Sequence, residues 1–457
     1  MPKIGNFFKN KKIIFVVLIL SFATFAGLWN IVSGGYDKQN KTILFLKKFI
    51  PSTIARKVRD IIFIIPDLKE QNRFLSTQVN KYEQGFNGEL FNEEIILSKK
   101  NNKKYFLKEF FLPFPRLDAR LGWAGEKNST RAHHFAIIGD YIVVISGEGK
   151  TIYFKKNNIL NKKLDQIEIP NNIQSILNQN NFKLIGIRDL FEEDSKLYIS
   201  LIFKNLKGLS INAYRADLNF EKLNFELFFE SKEYWPSYNV FSGGRFSTYK
   251  DNKILFTIGY SGIKKAAQQL NTLLGKIISI DKLTSEHKII SMGHRNPQGL
   301  YYIKNLNIII NTEHGPKGGD EININFQEDD EISNFGWDVS SYGTPYTGTA
   351  DPYKKSHTKY GFIEPFKYYV PSIGISQMVY MPNNLNPDGA KYLLVTSLRA
   401  GSIYVIKIND EFNKIIDEDR LFFLQRRIRD IEYDKENNVF LLLFEFTPSI
   451  GVLELNN

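Results

Sequence analysis

His134–Phe154 reads HFAIIGDYIVVISGEGKTIYF. Two β-branched apolar runs flank Gly139-Asp140, and Ser146-Gly147-Glu148-Gly149 separates the second from a third run ending in aromatics. Short runs of this kind, bounded by Gly, Asn and Asp, are strand–turn–strand units, and they lack the length and the 3.6-residue period of a helix. The texture recurs at 183–203 (KLIGIRDLFEEDSKLYISLIF), 243–262 (GGRFSTYKDNKILFTIGYSG), 298–315 (QGLYYIKNLNIIINTEHG), 376–408 and 427–446 (RIRDIEYDKENNVFLLLFEF). Six units over about 350 residues give about 60 residues each, which suits a propeller blade of four strands. The expectation is an all-β, six-bladed β-propeller over residues 100–457. Its loops would gather around one axial mouth, where a site is expected.

The amino terminus reads differently. Lys9, Lys11 and Lys12 precede Ile13–Val32, a run with no charged side chain. Twenty residues at 1.5 Å rise span roughly 30 Å, the hydrocarbon thickness of a bilayer. Trp29 suits the interface. The reading is an uncleaved transmembrane anchor over residues 1–35. A cleaved signal peptide is the alternative, and Thr24 with Ala26 makes a poor cleavage site for it. Residues 36–99 read as a membrane-proximal spacer. In it 44–66 (LFLKKFIPSTIARKVRDIIFIIP) is apolar and basic together, either a surface-lying amphipathic segment or a short packed helix. Lysines lie on both sides of the run, so charge counting barely sets its orientation.

Charge and composition exclude several classes. The net charge is +11. Residues 1–60 hold eleven basic and two acidic side chains, so 11 − 2 = +9 sits there and +2 on the rest. A nearly neutral body lacks the basic stripe of a nucleic-acid binder. With no cysteine there is no disulfide framework, thiolate metal site or Cys nucleophile. No nucleophile elbow and no well-spaced His/Asp pair points to a hydrolase.

The chemistry concentrates in Gly293–Tyr342. GHRNPQGL, EHGPKGGDEIN and NFGWDVSSYG follow one another there. In order and spacing this stretch resembles the PQQ-dependent glucose/sorbosone dehydrogenase family, six-bladed propellers that oxidise aldose sugars. The resemblance implies a soluble-glucose-dehydrogenase-like protein using PQQ and Ca²⁺, with its propeller on the periplasmic or otherwise extracytoplasmic side of the membrane. PQQ is a planar quinone with three carboxylates, a partner for guanidinium forks. By position, Arg295 and Asn296 match residues facing the quinone. Arg427 and Arg429 match an Arg-x-Arg-Asp pair that contacts the cofactor. Arg399 stands at a family Lys, Tyr369 at a frequent Trp that covers the quinone, and Asn181 weakly at a Gln. Gly315 and Pro316 match residues whose carbonyls ligate calcium, an ion that would polarise the quinone carbonyl. Asp320 and Glu321 match an acidic pair associated with a second, structural calcium, against the simpler reading of a turn-holding Asp and a strand-end Glu.

The resemblance breaks at the base. The family's proton acceptor is the histidine of His-x-Gly-Gly/Ser-Arg-Leu, and here Phe241 holds that position before Gly243-Gly244-Arg245. A family Gly-Asp-x-Gly becomes Gly259-Tyr260-Ser261-Gly262. A phenyl ring cannot take a hydroxyl proton. Of the six histidines (His133, His134, His287, His294, His314 and His357), His294 and His314 lie inside matched motifs and read as structural, and His133 and His134 sit where a loop could reach the mouth. Two functions follow: a divergent sugar, alcohol or aldehyde dehydrogenase, or a non-catalytic propeller of the same family acting as a membrane-anchored binding module.

Overall fold

Ile, Leu, Val and aromatic residues fill two-residue-period runs separated by tight turns, and such runs satisfy their backbone only by pairing with neighbours. The computed structural model describes residues 88–98, 100, 103–114, 132–236, 241–250, 252–326, 331–346, 353–381, 388–423, 426–445 and 448–455. In it the runs form six antiparallel sheets of four or five strands. The first blade is His134–Ile138, Tyr141–Ile145, Thr151–Lys155 and Ile167–Ile169. The second is Lys183–Glu193, Lys196–Asn205, Gly208–Asp217 and Glu226–Glu230. The third is Gly243–Tyr249, Lys253–Ile258, Lys276–Asp281 and His287–Met292, with Ser333–Asn334 added in parallel. The fourth is Pro297–Ile303, Ile308–Glu313, Asp320–Phe326 and Lys367–Tyr369. The fifth is Ile375–Met381, Lys391–Ser397, Ser402–Ile408 and Ile415–Phe422.

The sixth blade joins both ends of the described chain. Ile428–Asp434, Val439–Phe444 and Ser449–Leu455 are completed by Lys104–Phe111 and Leu90–Leu97. Leu90–Leu97 falls in the stretch expected as spacer, and it is instead the outermost strand of this blade. Its sequence, LFNEEIIL, is mostly half-exposed, as befits an edge that buries little.

The first strand of each blade contacts the first strand of the next, and the sixth returns to the first, so the ring closes. These six innermost strands start at one face, which is therefore the mouth. Each junction between neighbouring blades holds its own apolar cluster. Val143, Ile187 and Leu201 belong to the first junction, and Leu107, Ile403 and Leu442 to the fifth. The junction of the third and fourth blades has the smallest cluster, built on Leu255, Ile277 and Leu300. Burying one such side chain contributes roughly 1.5–3 kcal/mol. Among the described residues one α-helix appears, Ile173–Gln179, and no helix is long and apolar enough to cross a membrane. Ile13–Val32 and the rest of residues 1–87 lie outside the described residues.

The third blade carries a fully buried lysine. The Lys276 ammonium donates to the carbonyls of Ala266 (3.0 Å), Ala267 (3.2 Å) and Leu274 (2.8 Å), tying the loop before its strand to the sheet. Lys276→Met keeps the stem and strands three carbonyls. We expect it to lose about 2–3 kcal/mol in urea unfolding; a loss within 0.5 kcal/mol of zero, on the order of surface substitutions, would show that the ammonium ties nothing down.

Candidate functional site

Just below the mouth the axis is filled by a polar network. Arg245, on the innermost strand of the third blade, donates from Nη1 to Asp189 Oδ1 (2.6 Å) and to Asp430 Oδ2 (2.9 Å). Its Nε donates to the Gln298 carbonyl (2.8 Å) and its Nη2 to that of Arg429 (3.3 Å). His134 Nδ1 lies 3.1 Å from Arg245 Nη1 and 3.3 Å from Asp430 Oδ2. The Phe246 N–H donates to Asp189 Oδ2 (2.7 Å). Innermost strands of five blades thus meet on one guanidinium. His134, Asp189 and Asp430 converge as metal ligands do, and the Arg245 guanidinium takes the cation's place among them. Burial holds Asp189 up, to about 6, against the pull of Arg245. Burial also favours the acid form of Asp430, but Arg245 and His134 together hold it low.

Above the network the mouth is cationic. Arg-Ile-Arg spacing puts Arg427 and Arg429 on one face, with Ile428 turned into the core. Arg427 Nε donates to Glu445 Oε2 (2.7 Å), and Arg429 Nε to Glu445 Oε1 (2.6 Å). Arg429 Nη1 donates to Gln298 Oε1 (2.8 Å). Burial would raise the Glu445 pKa, yet Arg429 and Arg427 hold it at about 2. Arg188, on the innermost strand of the second blade, lies in the same field of Arg429 and Glu445. Its Cβ sits where a side chain on Gly244 would collide, at 2.5 Å, so only glycine lets the two strands approach.

Arg295, where the third blade passes into the fourth, completes the set. Its N–H donates to Glu313 Oε2 (2.6 Å) and its Nη1 to the His314 carbonyl (2.8 Å). The guanidinium carbon lies 4.5 Å from the Phe241 ring, 5.3 Å from Trp337 and 5.8 Å from Tyr260. Phe241 and Tyr260 are parallel, 8° apart in tilt with centroids 6.1 Å apart, and Trp337 meets Tyr260 edge-on. A Cβ on Gly259 would sit 2.1 Å from the Phe241 carbonyl, so that glycine permits the two loops to close on each other. His314 is half-exposed among these groups. Its pKa falls to about 4 by burial, with Arg429, Arg295 and Arg427 opposing the charge and Asp320 favouring it. His314 thus lies in the field of all three guanidiniums, Arg295, Arg427 and Arg429.

Other expected residues land unevenly. The Asn296 side-chain oxygen accepts from the Gly243 N–H (3.3 Å) and from Gln298 (3.2 Å), holding the third and fourth blades in register at the mouth. Arg399 is exposed on the mouth face, packed against Gly374 where the fifth blade begins. Asn181 is corrected: it is exposed at the end of the helix, with left-handed φ of 51°, and its N–H donates to the Asn178 carbonyl. An 11-residue strand begins beyond it, and Arg188 rather than Asn181 is that strand's contribution to the mouth. Tyr369 is corrected as well. It pairs with Asp320 at the edge of the fourth blade, is 5% exposed, packs on Tyr404 at 5.1 Å and donates to Glu418 (3.4 Å). Its ring belongs to the core between the fourth and fifth blades.

The expected metal residues divide. Asp320 Oδ1 accepts from Ser372 Oγ (2.9 Å) and the Gly315 N–H (3.1 Å), and Oδ2 from the N–H groups of Gly374 (2.7 Å) and Ile375 (3.1 Å). Four donors commit both oxygens, so Asp320 holds the loop and does not fit an ion. Glu321 is buried, and burial with Glu313 beside it raises its pKa well above the ordinary range. With Arg295, Gly315, Trp337, Ser340 and Ser341 it lines a polar cavity about the size of one water. The Pro316 carbonyl accepts only a long contact from Ser372 Oγ (3.5 Å).

His133, expected as able to reach the mouth, is 2% exposed just before the innermost strand of the first blade. Both ring nitrogens are buried without a hydrogen-bond partner, and the ring stacks on Phe114 at 5.1 Å. Burial lowers its pKa to about 4, in the fields of Glu445 and Arg429. Arg188, Asp189 and Trp337 were missed. The only signal for the first two was an Arg-Asp pair inside an otherwise apolar strand.

A closed ring of six blades, with guanidiniums around a polar axis, defines a propeller whose mouth suits a polyanionic ligand. The family model for glucose/sorbosone dehydrogenase matches residues 134–446, and the chain belongs to that family. It is 27% identical over 282 residues to an uncharacterized protein of Synechocystis sp., matching 56% of this chain and 66% of that protein. It is 27% identical over 217 residues to the aldose sugar dehydrogenase YliI of Escherichia coli, matching 44% of this chain and 57% of that protein. The chain thus spans somewhat less than two thirds of the one and little more than half of the other. Among solved structures, the apo-form of the soluble aldose sugar dehydrogenase from Escherichia coli superposes with TM-score 0.58 at 19% identity, covering 77% of this chain and 100% of that one. The PQQ-bound aldose sugar dehydrogenase from Streptomyces coelicolor gives 0.50 at 17% identity, covering 76% and 98%.

Proposed function

We propose that this protein is a PQQ-dependent oxidoreductase that oxidises a sugar or a related alcohol or aldehyde. The observation that carries the reading is the cationic mouth: Arg427 and Arg429 share Glu445 at 2.7 and 2.6 Å, Arg295 donates to the His314 carbonyl at 2.8 Å, and all three charges act on His314. A tricarboxylate quinone fits that donor set. Its carboxylates meet guanidinium forks, and the Arg295 Nε–H is buried without an acceptor. When bound, the quinone supplies a two-electron acceptor. Arg295, Arg427, Arg429 and Arg188 would hold its carboxylates, and Arg399 would extend the field. The Gly315 and Pro316 carbonyls, with Glu321, are the oxygens left for calcium. Removal of the substrate's hydroxyl proton falls to a group other than Phe241, and His133 is neutral and unpartnered at the same mouth.

Support comes also from the family and from two relatives named as sugar dehydrogenases. The uncharged run Ile13–Val32 supports a membrane anchor, and the family likeness supports a propeller on the non-cytoplasmic side. Titrating the purified protein with PQQ and Ca²⁺, followed by absorbance, tests the reading. We expect saturable uptake at micromolar PQQ and bleaching of the quinone by an aldose. No uptake sinks the proposal; uptake without bleaching by any sugar, alcohol or aldehyde leaves a cofactor-binding module that does no oxidation.

A further inference from the structure

The two positions where the base and a carboxylate are missing, Phe241 and Tyr260, lie side by side with centroids 6.1 Å apart, and the Arg295 guanidinium carbon sits beside the pair, 4.5 Å from one ring and 5.8 Å from the other. Their rings are parallel, and with Trp337 they put three aromatic faces around a guanidinium that is 3% exposed. Tyr353 buttresses Trp337 from behind, with ring centroids 4.9 Å apart. A ring quadrupole attracts a cation over its face, and the attraction grows as water is removed. Arginine is also a long side chain with much rotamer freedom to lose on binding, and a fork fixed beforehand loses less.

We infer that Phe241 is a positioning residue: with Tyr260 and Trp337 it clamps the Arg295 guanidinium so that its edge is ready for an anionic oxygen at the mouth. The inference rests on the proposed quinone site and names how this chain tunes it. Two apparent losses become one gain. An imidazole at 241 would hydrogen-bond a substrate, but it would be a poorer face for the cation and a like charge once protonated. A carboxylate at 260 would pair with Arg295 and compete with the ligand. Two rings do neither.

The test is a series at 241, read by PQQ titration in the presence of Ca²⁺. Phe241→Tyr and Phe241→Trp keep a face and should bind PQQ within threefold of the parent. Phe241→Leu keeps bulk and loses the face, and its dissociation constant should rise about 3- to 30-fold. Phe241→His should bind more weakly still as the pH falls below about 6.5, the ordinary imidazole value, a dependence that the Tyr variant lacks. A second readout needs no cofactor. Phenylglyoxal adducts at Arg295, counted by peptide mass, should form slowly in the parent and the Trp variant and several-fold faster in Phe241→Leu. Should the parent take up no PQQ, the quinone reading fails while the adduct rates still decide the clamp. Equal PQQ affinity of the parent and Phe241→Leu overturns it, and so do equal adduct rates.

Discussion

Arg245→Met is expected to lower the stability of the propeller by about 3–5 kcal/mol, the usual result of removing one partner from a buried ion pair. The mutation leaves Asp189 and Asp430, each about 4% exposed or less, with no cation between them. It also frees the carbonyls of Gln298 and Arg429. Because the network draws on five of the six innermost strands, the loss falls on ring closure and not on one blade. The sign of its pH dependence is fixed. Without Arg245 both carboxyls have folded pKa values raised above the ordinary aspartate value near 3.9, so the folded state binds protons that the unfolded chain does not. Stability of the variant then falls as pH rises from about 4 through the raised values, and the deficit against the parent is largest at neutral pH. Urea midpoints at pH 5 and pH 8 check this. Adding Asp189→Asn and Asp430→Asn should recover most of the loss at pH 8, because the buried charges are gone. A deficit under about 1 kcal/mol, within the ordinary run of surface substitutions, or no recovery in the triple variant, would mean that the axis is not held by this ion network.

What the sequence made legible follows contact distance along the chain. The inner two or three strands of each blade are joined by tight turns such as Gly139-Asp140, and neighbouring residues alone announce them. The fourth strands of the first two blades, Ile167–Ile169 and Glu226–Glu230, have three and five residues, too few to show a period. The pairing of Lys104–Phe111 with Ser449–Leu455 brings together residues as far apart as Lys108 and Glu454, 346 positions, and no local signal points to it. The mouth arginines were legible only through the family likeness of their motifs. Arg245 lies 56 residues from Asp189 and 185 from Asp430, so their meeting is a product of ring closure. Tyr369 was misread for a simpler reason. Strand alternation sends Tyr368 outward, where it stacks on Tyr342 at 3.6 Å, and turns Tyr369 into the core.

His133→Asn should leave PQQ uptake within about threefold of the parent and slow the first reduction of the bound quinone by about 10²- to 10⁴-fold, the ordinary yield of a positioned general base. The argument is by availability. Phe241 has no lone pair to offer, His134 is engaged with Arg245 and Asp430, and His294 lies between Ser291 and Glu313. His133 and His357 both carry two nitrogens without a hydrogen-bond partner, and of the two His133 is the one in the fields of Arg429 and Glu445. His314, in the field of the three mouth arginines, is the rival candidate, and the same measurements on His314→Asn separate the two. In the step it would serve, the imidazole would take the substrate O–H proton, and the quinone, when bound, would supply the acceptor for the two electrons. Such a base must be neutral to work, and burial keeps it so down to about pH 4. Cofactor carboxylates nearby would raise that value, so the parent's rate should fall on an acid limb between about pH 4 and 6.5 that the variant lacks. The same group bears on stability. The unfolded chain binds this proton near 6.5 and the folded one only near 4, so stability falls as pH drops through that window. His133→Asn should soften that fall. Single-turnover absorbance across pH 4–8 separates the roles: an unchanged rate with an unchanged acid limb removes His133 from the chemistry, whatever the variant does to folding.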